Sequence, residues 1–386
     1  MKVLHVFTLS TTARSFFDGQ FRYLSDHGHD LHMISSDPED TDFCRRNRLA
    51  AYHRSEVARR IDIRADIRAI ADIRRYIRRN GINAVVGHTP KGAMVAMIAA
   101  WLARVPVRIY YRHGLIYTTA TGLRRAIFKN VERLTAALAT RIVNVSPSLS
   151  ALAVKDHLNS GSKQTVIGAG TCGGIDTAGL FNPEKITPAD LADIRCRYGI
   201  GDDTFTVGFC GRICRDKGII ELIGGFNEFR RRHPGLKCRL LVVGPYDSRD
   251  ILPQAVRDIL SDDPDIVLTG NVGKSQLPVH YAAMDVFVFP SYREGFGMTV
   301  IEASAMGVPV LVSRSHGCVD SIRENVSGIY IGISDKSIAD KLDMLYNTPE
   351  LRRSLGAGGR KFVIENFERT TLWPEILKMY NSTMHQ

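Results

Sequence analysis

The chain has 386 residues, 44% of them hydrophobic and 24% charged, which suits a globular protein with enough apolar mass for two domains of ordinary size. The longest apolar run, residues 93–103, is well short of the roughly 20 residues that span a bilayer, and the apolar stretch at the start is short and broken by His5, which argues against a signal peptide. Seven scattered cysteines, with no Cys-x-x-Cys pair and no zinc spacing, suit a reducing cytosol and exclude a disulfide framework. The net charge of +11 is unevenly spread: residues 1–170 hold 26 Lys/Arg against 13 Asp/Glu, and residues 171–386 hold 25 against 27. A basic first half points to an anionic partner, with nucleic acid and the inner leaflet of a membrane as candidates.

In chain order, apolar runs predict strands over residues 3–7, 31–35, 84–87, 107–111, 142–145 and 164–167, separated by helical patterns over 17–27, 62–79, 92–103 and 124–139. Residues 9–15, after the first strand, read as a loop. The stretch 168–183 holds five glycines and a proline, too many to sustain an element, and marks a domain boundary. Beyond it the rhythm repeats, with strands over 206–210, 239–243, 266–268, 286–289 and 308–312 and helices over 219–232, 277–284 and 298–306. A last helix is expected over 372–384. Alternation of this kind implies two doubly wound parallel α/β domains, 1–175 and 190–367, facing across a cleft at the strand ends where ligands bind.

The 286–289 strand is stopped by Pro290, and a loop with Glu294, Gly295, Phe296 and Gly297 leads into a helix beginning at Met298 and Thr299. A glycine loop feeding a helix N-terminus offers backbone N–H groups and a positive dipole end to an anion. Glu294 and Glu302 flank that cradle, and carboxylates bind sugar hydroxyls well while repelling phosphate. The pattern therefore predicts a diphosphate and a sugar in one pocket. Upstream, Arg212 and Lys217 follow the strand-end Gly211 and can span two phosphates without a metal; most such pairs elsewhere are solvated loop residues. Glu302 lies among Val300, Ile301, Ala303 and Ala305, and a carboxylate there must be bonded.

These two segments resemble the retaining glycosyltransferases of family 4, of GT-B fold: Glu294 and Glu302 give the Glu-x7-Glu pattern, and Gly208-Phe-Cys-Gly-Arg-Ile-Cys-Arg-Asp-Lys-Gly-Ile219 is similar to the family's phosphate clamp. The resemblance runs almost continuously over residues 204–367 and more loosely over the first half. It implies that Glu294 contacts the donor sugar, that Glu302 accepts the ribose hydroxyls, and that the backbone of residues 295–299 meets the distal phosphate or sugar. It also implies transfer from a nucleoside-diphosphate sugar, with UDP the expected nucleotide, without a metal or other cofactor, and a final helix, residues 368–386, that packs back on the first domain. The residues 168–183 are similar to the family's connecting segment, with Gly in place of its Asn.

His113, in Tyr110-Tyr-Arg-His-Gly114 at a strand end, would project into the cleft; such a histidine is as readily structural, and the resemblance places it near the donor sugar. Gly87-His-Thr-Pro-Lys91 resembles a family segment whose first His is Gly87 here, which leaves a role for His88 open, and the 9–15 loop lacks the family's glycines. Ile63, Ile67, Ile70, Ile73 and Ile77 form a stripe expected to pack on the sheet, and the eight Arg against three Asp of residues 59–79 leave a surplus that suits an anionic leaflet. The first half resembles enzymes that elongate sugars on a polyprenyl diphosphate, which implies a cytoplasmic protein, peripheral on the inner face of the membrane, with a lipid-linked or saccharide acceptor. A nucleotide-sugar epimerase shares the fold but wants more acid/base carboxylates than the first half offers. Nucleic-acid binding finds no recognition helix, stacking platform or zinc module.

Overall fold

The computed structural model describes residues 1–57, 62–248 and 250–383, and the chain divides into two units, Met1–Gly174 with Arg369–Gln386, and Ile175–Glu368. The first unit contains β1 (Lys2–Val6), α1 (Ser10–Phe16), α2 (Gln20–Asp26), β2 (Asp30–Ser35), α3 (Thr41–Arg46), β3 (Ala51–Arg54), α4 (Ile63–Asn80), β4 (Ala84–His88), α5 (Pro90–Leu102), β5 (Val107–Arg112), α6 (Gly122–Leu138), β6 (Arg141–Asn144), α7 (Pro147–Lys155) and β7 (Gln164–Val166). The second contains α8 (Pro188–Arg197), β8 (Phe205–Cys210), α9 (Ile219–Arg232), β9 (Cys238–Val243), α10 (Gln254–Asp262), β10 (Ile266–Gly270), α11 (Leu277–Ala282), β11 (Val286–Phe289), α12 (Met298–Ala305), β12 (Val310–Ser313), β13 (Ile329–Ile331), α13 (Asp335–Asn347) and α14 (Pro349–Phe367). The last helix, α15 (Arg369–Ser382), belongs to the first unit.

Both sheets are parallel, in the orders β3-β2-β1-β4-β5-β6-β7 and β10-β9-β8-β11-β12-β13. Each order reverses once, between β1 and β4 and between β8 and β11, and in such sheets the ligand crevice opens at that reversal. Helices on both faces explain why β4, β8 and β11 are buried along their whole length and read as mainly apolar runs. In the first unit the core gathers Leu4, Val6, Val85, Met97 and Ile142 between sheet and helices. On α15, Leu372, Ile376, Met379 and Tyr380 form the buried face, and Trp373 Nε1 donates to the Gly173 carbonyl at 2.8 Å.

The structure corrects the sequence reading at several places. Residues 9–15 are mostly helix, not loop: Ser10 donates from both its backbone N and its Oγ to Asp37 Oδ2, at 2.6 and 2.7 Å, and so anchors the first turn of α1. The isoleucine stripe of α4 packs only in part. Its buried line runs Ala65, Ala69, Ile73, Ile77, with Asp66 paired to Lys91 beside it, so Ile63 and Ile67 fall to the side and are 72% and 61% exposed. Arg59 and Arg60, counted in the charge of that segment, lie outside the described residues, as does Met384 at the expected end of the last helix. Strands β3 and β13 escaped the reading, since β3 (Ala-Tyr-His-Arg) is a half-buried edge strand without an apolar run and β13 has only three residues.

Candidate active site

Within the second unit the expected donor residues converge at the carboxyl ends of β8 and β11, beside the reversal in strand order. After β8 the chain passes Gly211 and Arg212, makes a 3-10 turn over Arg215–Lys217, and enters α9 through Gly218. Gly218 has φ +71°, and a Cβ there would stand 2.1 Å from the Pro290 carbonyl oxygen, so only glycine lets the two strand-end loops approach. That closeness brings Lys217 to Glu294. Their side chains form a direct ion pair, both largely buried, with Lys217 Nζ 5.5 Å above the Phe289 ring and Ser291 Oγ donating to Glu294 Oε1 at 3.0 Å.

Arg212 is paired with the buried carboxylate of Asp247, in the loop after β9. The two cations expected to neutralise a diphosphate therefore each sit on a carboxylate, and a phosphate arriving there would compete with Asp247 and Glu294 for them. Glu302 is buried on α12 and accepts from the Tyr281 hydroxyl at 2.9 Å. Burial raises its pKa above the usual carboxylate range, opposed by the charge of Lys274 and by that hydrogen bond.

The Gly295–Gly297 turn leads into α12 at its N-cap, Gly297, and Phe296 turns inward with its ring edge-on to Phe367 at 5.2 Å. The Met298 N–H donates to the Phe296 carbonyl at 2.8 Å, so it is engaged inside the turn rather than held for a phosphate. The Thr299 hydroxyl is buried without a hydrogen-bond partner. Gly317, at φ +81°, backs the loop; a Cβ there would stand 2.6 Å from the Gly295 carbonyl oxygen. Among the described residues no group of three or more His, Cys, Asp or Glu is placed to hold a metal.

His113 lies in the first unit, just past β5, with both ring nitrogens engaged there: Nε2 is 3.0 Å from His88 Nδ1 and Nδ1 is 3.2 Å from Cys172 Sγ. A sugar hydroxyl would have to take the place of one of them. Burial pushes its pKa down to about 3, so the ring is neutral at physiological pH. His88, left open by the sequence, is fully buried between His5 and His113.

Sequence reasoning missed Asp247, Tyr281 and Ser291, each the partner of a residue it had chosen. Asp247 carried one signal: it follows Gly244-Pro245 at the end of the strand beside β8.

The comparisons with known proteins bear on the family and the fold. Residues 204–348 match the family model for glycosyl transferases group 1, and residues 12–170 match that for the glycosyl transferase 4-like domain. The capsular polysaccharide biosynthesis glycosyltransferase CapM of Staphylococcus aureus is 31% identical over 396 aligned residues, covering 100% of this chain and 99% of that protein. A GDP-mannose-dependent α-(1-6)-phosphatidylinositol monomannoside mannosyltransferase of Mycobacterium tuberculosis is 32% identical over 207 residues, 52% of each chain. Among solved structures, the Anabaena protein Alr3699/HepE in complex with UDP-glucose superposes with TM-score 0.80 at 16% identity, covering 99% of this chain and 100% of that one. Sucrose-phosphate synthase from Thermosynechococcus elongatus does so with TM-score 0.81 at 20% identity, covering 100% and 99%. The fold is thus GT-B, two doubly wound α/β units. The chain belongs to the group 1 glycosyltransferases of family 4, and it is a glycosyltransferase.

Proposed function

We propose that this enzyme transfers a sugar, with retention of anomeric configuration, from a UDP-linked donor to a hydroxyl of a lipid-linked or saccharide acceptor in the building of cell-surface polysaccharide. The observation that carries the reading is the meeting of Lys217, Glu294 and Arg212 at the β8 and β11 strand ends, with Glu302 behind them on α12. On binding, the diphosphate takes over Lys217 and Arg212, Glu294 turns to the sugar hydroxyls, and Glu302 accepts from the ribose. The two cations neutralise the leaving diphosphate, so the reaction proceeds without a metal. The relatives in capsule and glycolipid synthesis support the acceptor class, and the UDP-glucose complex of a structural neighbour supports the choice of UDP, whereas the glycolipid relative takes GDP-mannose. Incubating the protein with a panel of UDP- and GDP-sugars and a polyprenyl-diphosphate-linked acceptor, with and without EDTA, tests it. Anomer-retained product with a UDP-sugar in both arms is expected; activity only with a GDP-sugar, an inverted product, free sugar without transfer, or complete loss in EDTA restored by magnesium or manganese would each overturn the corresponding part.

The two glutamates are expected to fail differently. Glu302→Ala should weaken the binding of free UDP about tenfold or more, since a buried charge-assisted acceptor is lost. Glu294→Ala should mainly lower kcat. Because burial raises the Glu302 pKa, UDP affinity of the wild type should decline on acidification at a pH above the ordinary glutamate range, where the carboxylate acceptor is lost. Calorimetry with UDP checks both, and equal losses of affinity in the two variants would contradict the division of roles.

The reading also places the enzyme on the cytoplasmic face of a membrane, held peripherally. Among the described residues no helix is long and apolar enough to cross one. The support is a surface in the first unit. α5 packs between α4 and α6, and both outer helices expose aliphatic side chains in their first two turns: Ile63 and Ile67 beside Arg64 and Arg68, and Leu123 (77% exposed) and Ile127 (45%) beside Arg124 and Arg125. Exposed branched aliphatics ringed by arginine suit an anionic lipid surface, where each Arg contributes about 1 kcal/mol. The quadruple Ser variant of Ile63, Ile67, Leu123 and Ile127 should retain severalfold less on anionic vesicles while transferring normally to a short soluble acceptor. Co-sedimentation equal to the wild type would remove this surface from membrane binding.

A further inference from the structure

Five side chains of the first unit form one line, buried over most of its length, that the proposed reaction does not explain. Tyr380 Oη of α15 lies 3.5 Å from His5 Nε2 on β1, His5 Nδ1 lies 3.0 Å from His88 Nε2 on β4, His88 Nδ1 lies 3.0 Å from His113 Nε2, and His113 Nδ1 lies 3.2 Å from Cys172 Sγ. His5 and His88 are buried and His113 is partly so, and desolvation depresses all three pKa values, so each imidazole is neutral. A neutral imidazole carries one N–H and one bare nitrogen. Each nitrogen–nitrogen link therefore holds one proton, and the three rings must share a tautomer. Either every Nδ1 is protonated and the line donates toward Cys172, or every Nε2 is protonated and it donates toward Tyr380. His88 alone in the other tautomer would set two N–H groups head-on at one link and two lone pairs at the next, and His5 or His113 alone would spoil its one link to His88.

The surroundings hold this line rigidly. The His88 ring stacks on Phe7, with centroids 4.1 Å apart and planes 8° apart, and Phe17 meets it edge-on. The next residue, Thr89, has φ +62° and ψ 155°, a backbone conformation that a β-branched residue disfavours and that persists only where its neighbours enforce it. Its hydroxyl stands 2.8 Å from that of Thr8 at the reversal between β1 and β4. At the other end, Gln20 Nε2 and the Tyr111 hydroxyl both donate to the Cys172 carbonyl at 3.3 Å, which holds the Cys172 backbone beside His113.

We propose that His5 and His88 are positioning residues that set the tautomer of His113, so that a substrate hydroxyl displacing the Cys172 thiol meets a defined donor or acceptor at His113 Nδ1. This rests on the reading of His113 as a substrate-binding group. Long-range proton–nitrogen correlation spectra of the full chain labelled with 15N-histidine identify the tautomer of each ring, and one shared tautomer for residues 5, 88 and 113 is expected. His88→Phe keeps the stack on Phe7 and cuts the line; it should lower kcat tenfold or more while leaving the Kd for UDP within twofold. Mixed tautomers in the wild type would overturn the proposal whether or not the variant folds. So would a folded His88→Phe enzyme with wild-type turnover when His113→Ala is slow. Full turnover by His113→Ala would sink the reading of His113 instead, with the shared tautomer still measurable on its own.

Discussion

Replacing Lys217 with Ala is expected to lower kcat by about a hundredfold or more in enzyme that is still folded at the assay temperature. A preorganised donor aimed at developing charge is worth roughly 3–4 kcal/mol in a water-poor site. The proposed reaction gives Lys217 that part, and its position suits it: it sits at the turn that Gly218 allows, largely buried, above the Phe289 ring. In the structure it is paired with Glu294, and removing it also leaves that carboxylate with Ser291 alone. Single-turnover rates with saturating donor isolate the chemical step from binding. Turnover within about threefold of wild type would remove Lys217 from the reacting site, and the pair with Glu294 would then be structural.

What the sequence disclosed and what it hid divide along a physical line. Local signals were legible: Pro290 ends β11, the glycine loop opens α12, and the predicted bounds 219–232 and 286–289 are those of α9 and β11. These depend on neighbours a few residues apart. Pairings across the sheet were not legible. Arg212 could be picked out as a basic residue after a strand-end glycine, but its partner Asp247 is 35 residues away and meets it only because β8 and β9 are adjacent. Tyr281 reaches Glu302 in the same way, from α11 to α12. The burial of Glu302 followed from its apolar neighbours; the identity of its hydrogen-bond donor did not.

The first unit was harder to read, for two reasons. Periodicity places a residue on a helix face but does not say how far the sheet extends beneath it, so Ile63 and Ile67 were assigned to a core that two alanines fill instead. The histidine line was hidden because its members lie on β1, on β4, after β5 and in the segment after β7. Only the strand order brings them together. His5 reads from the sequence as an obstacle to a signal peptide and Cys172 as one of seven scattered cysteines, and each is accurate as far as one position can show.

Arg112→Met should destabilise the first unit by about 3–5 kcal/mol, the cost of removing one partner of a buried ion pair. Arg112 has no exposed surface at all. Its Nη1 and Nη2 donate to Asn144 and Asn159 at 3.1 and 3.0 Å, its Nε lies 3.5 Å from Glu132 Oε2, and its guanidinium stacks 5.0 Å from the Tyr110 ring, whose hydroxyl donates to the same carboxylate at 2.8 Å. Met fills similar volume but leaves Glu132 buried with Tyr110 as its remaining partner among these contacts. For a unit of this size each kcal/mol moves the melting temperature by roughly 2–4 °C, so a fall of about 6–20 °C is expected by calorimetry or circular dichroism. Burial already raises the Glu132 pKa, with Arg112 opposing it, and without that charge the group must take up a proton on folding. A carboxyl whose folded pKa is raised favours the folded state when protonated and loses that favour as pH rises through it, so the deficit should shrink on acidification. Adding Glu132→Gln should recover much of the loss, because the uncompensated charge is gone. A melting temperature within 2 °C of wild type, or a double variant weaker than Arg112→Met alone, would show that the pair does not hold β5 to α6.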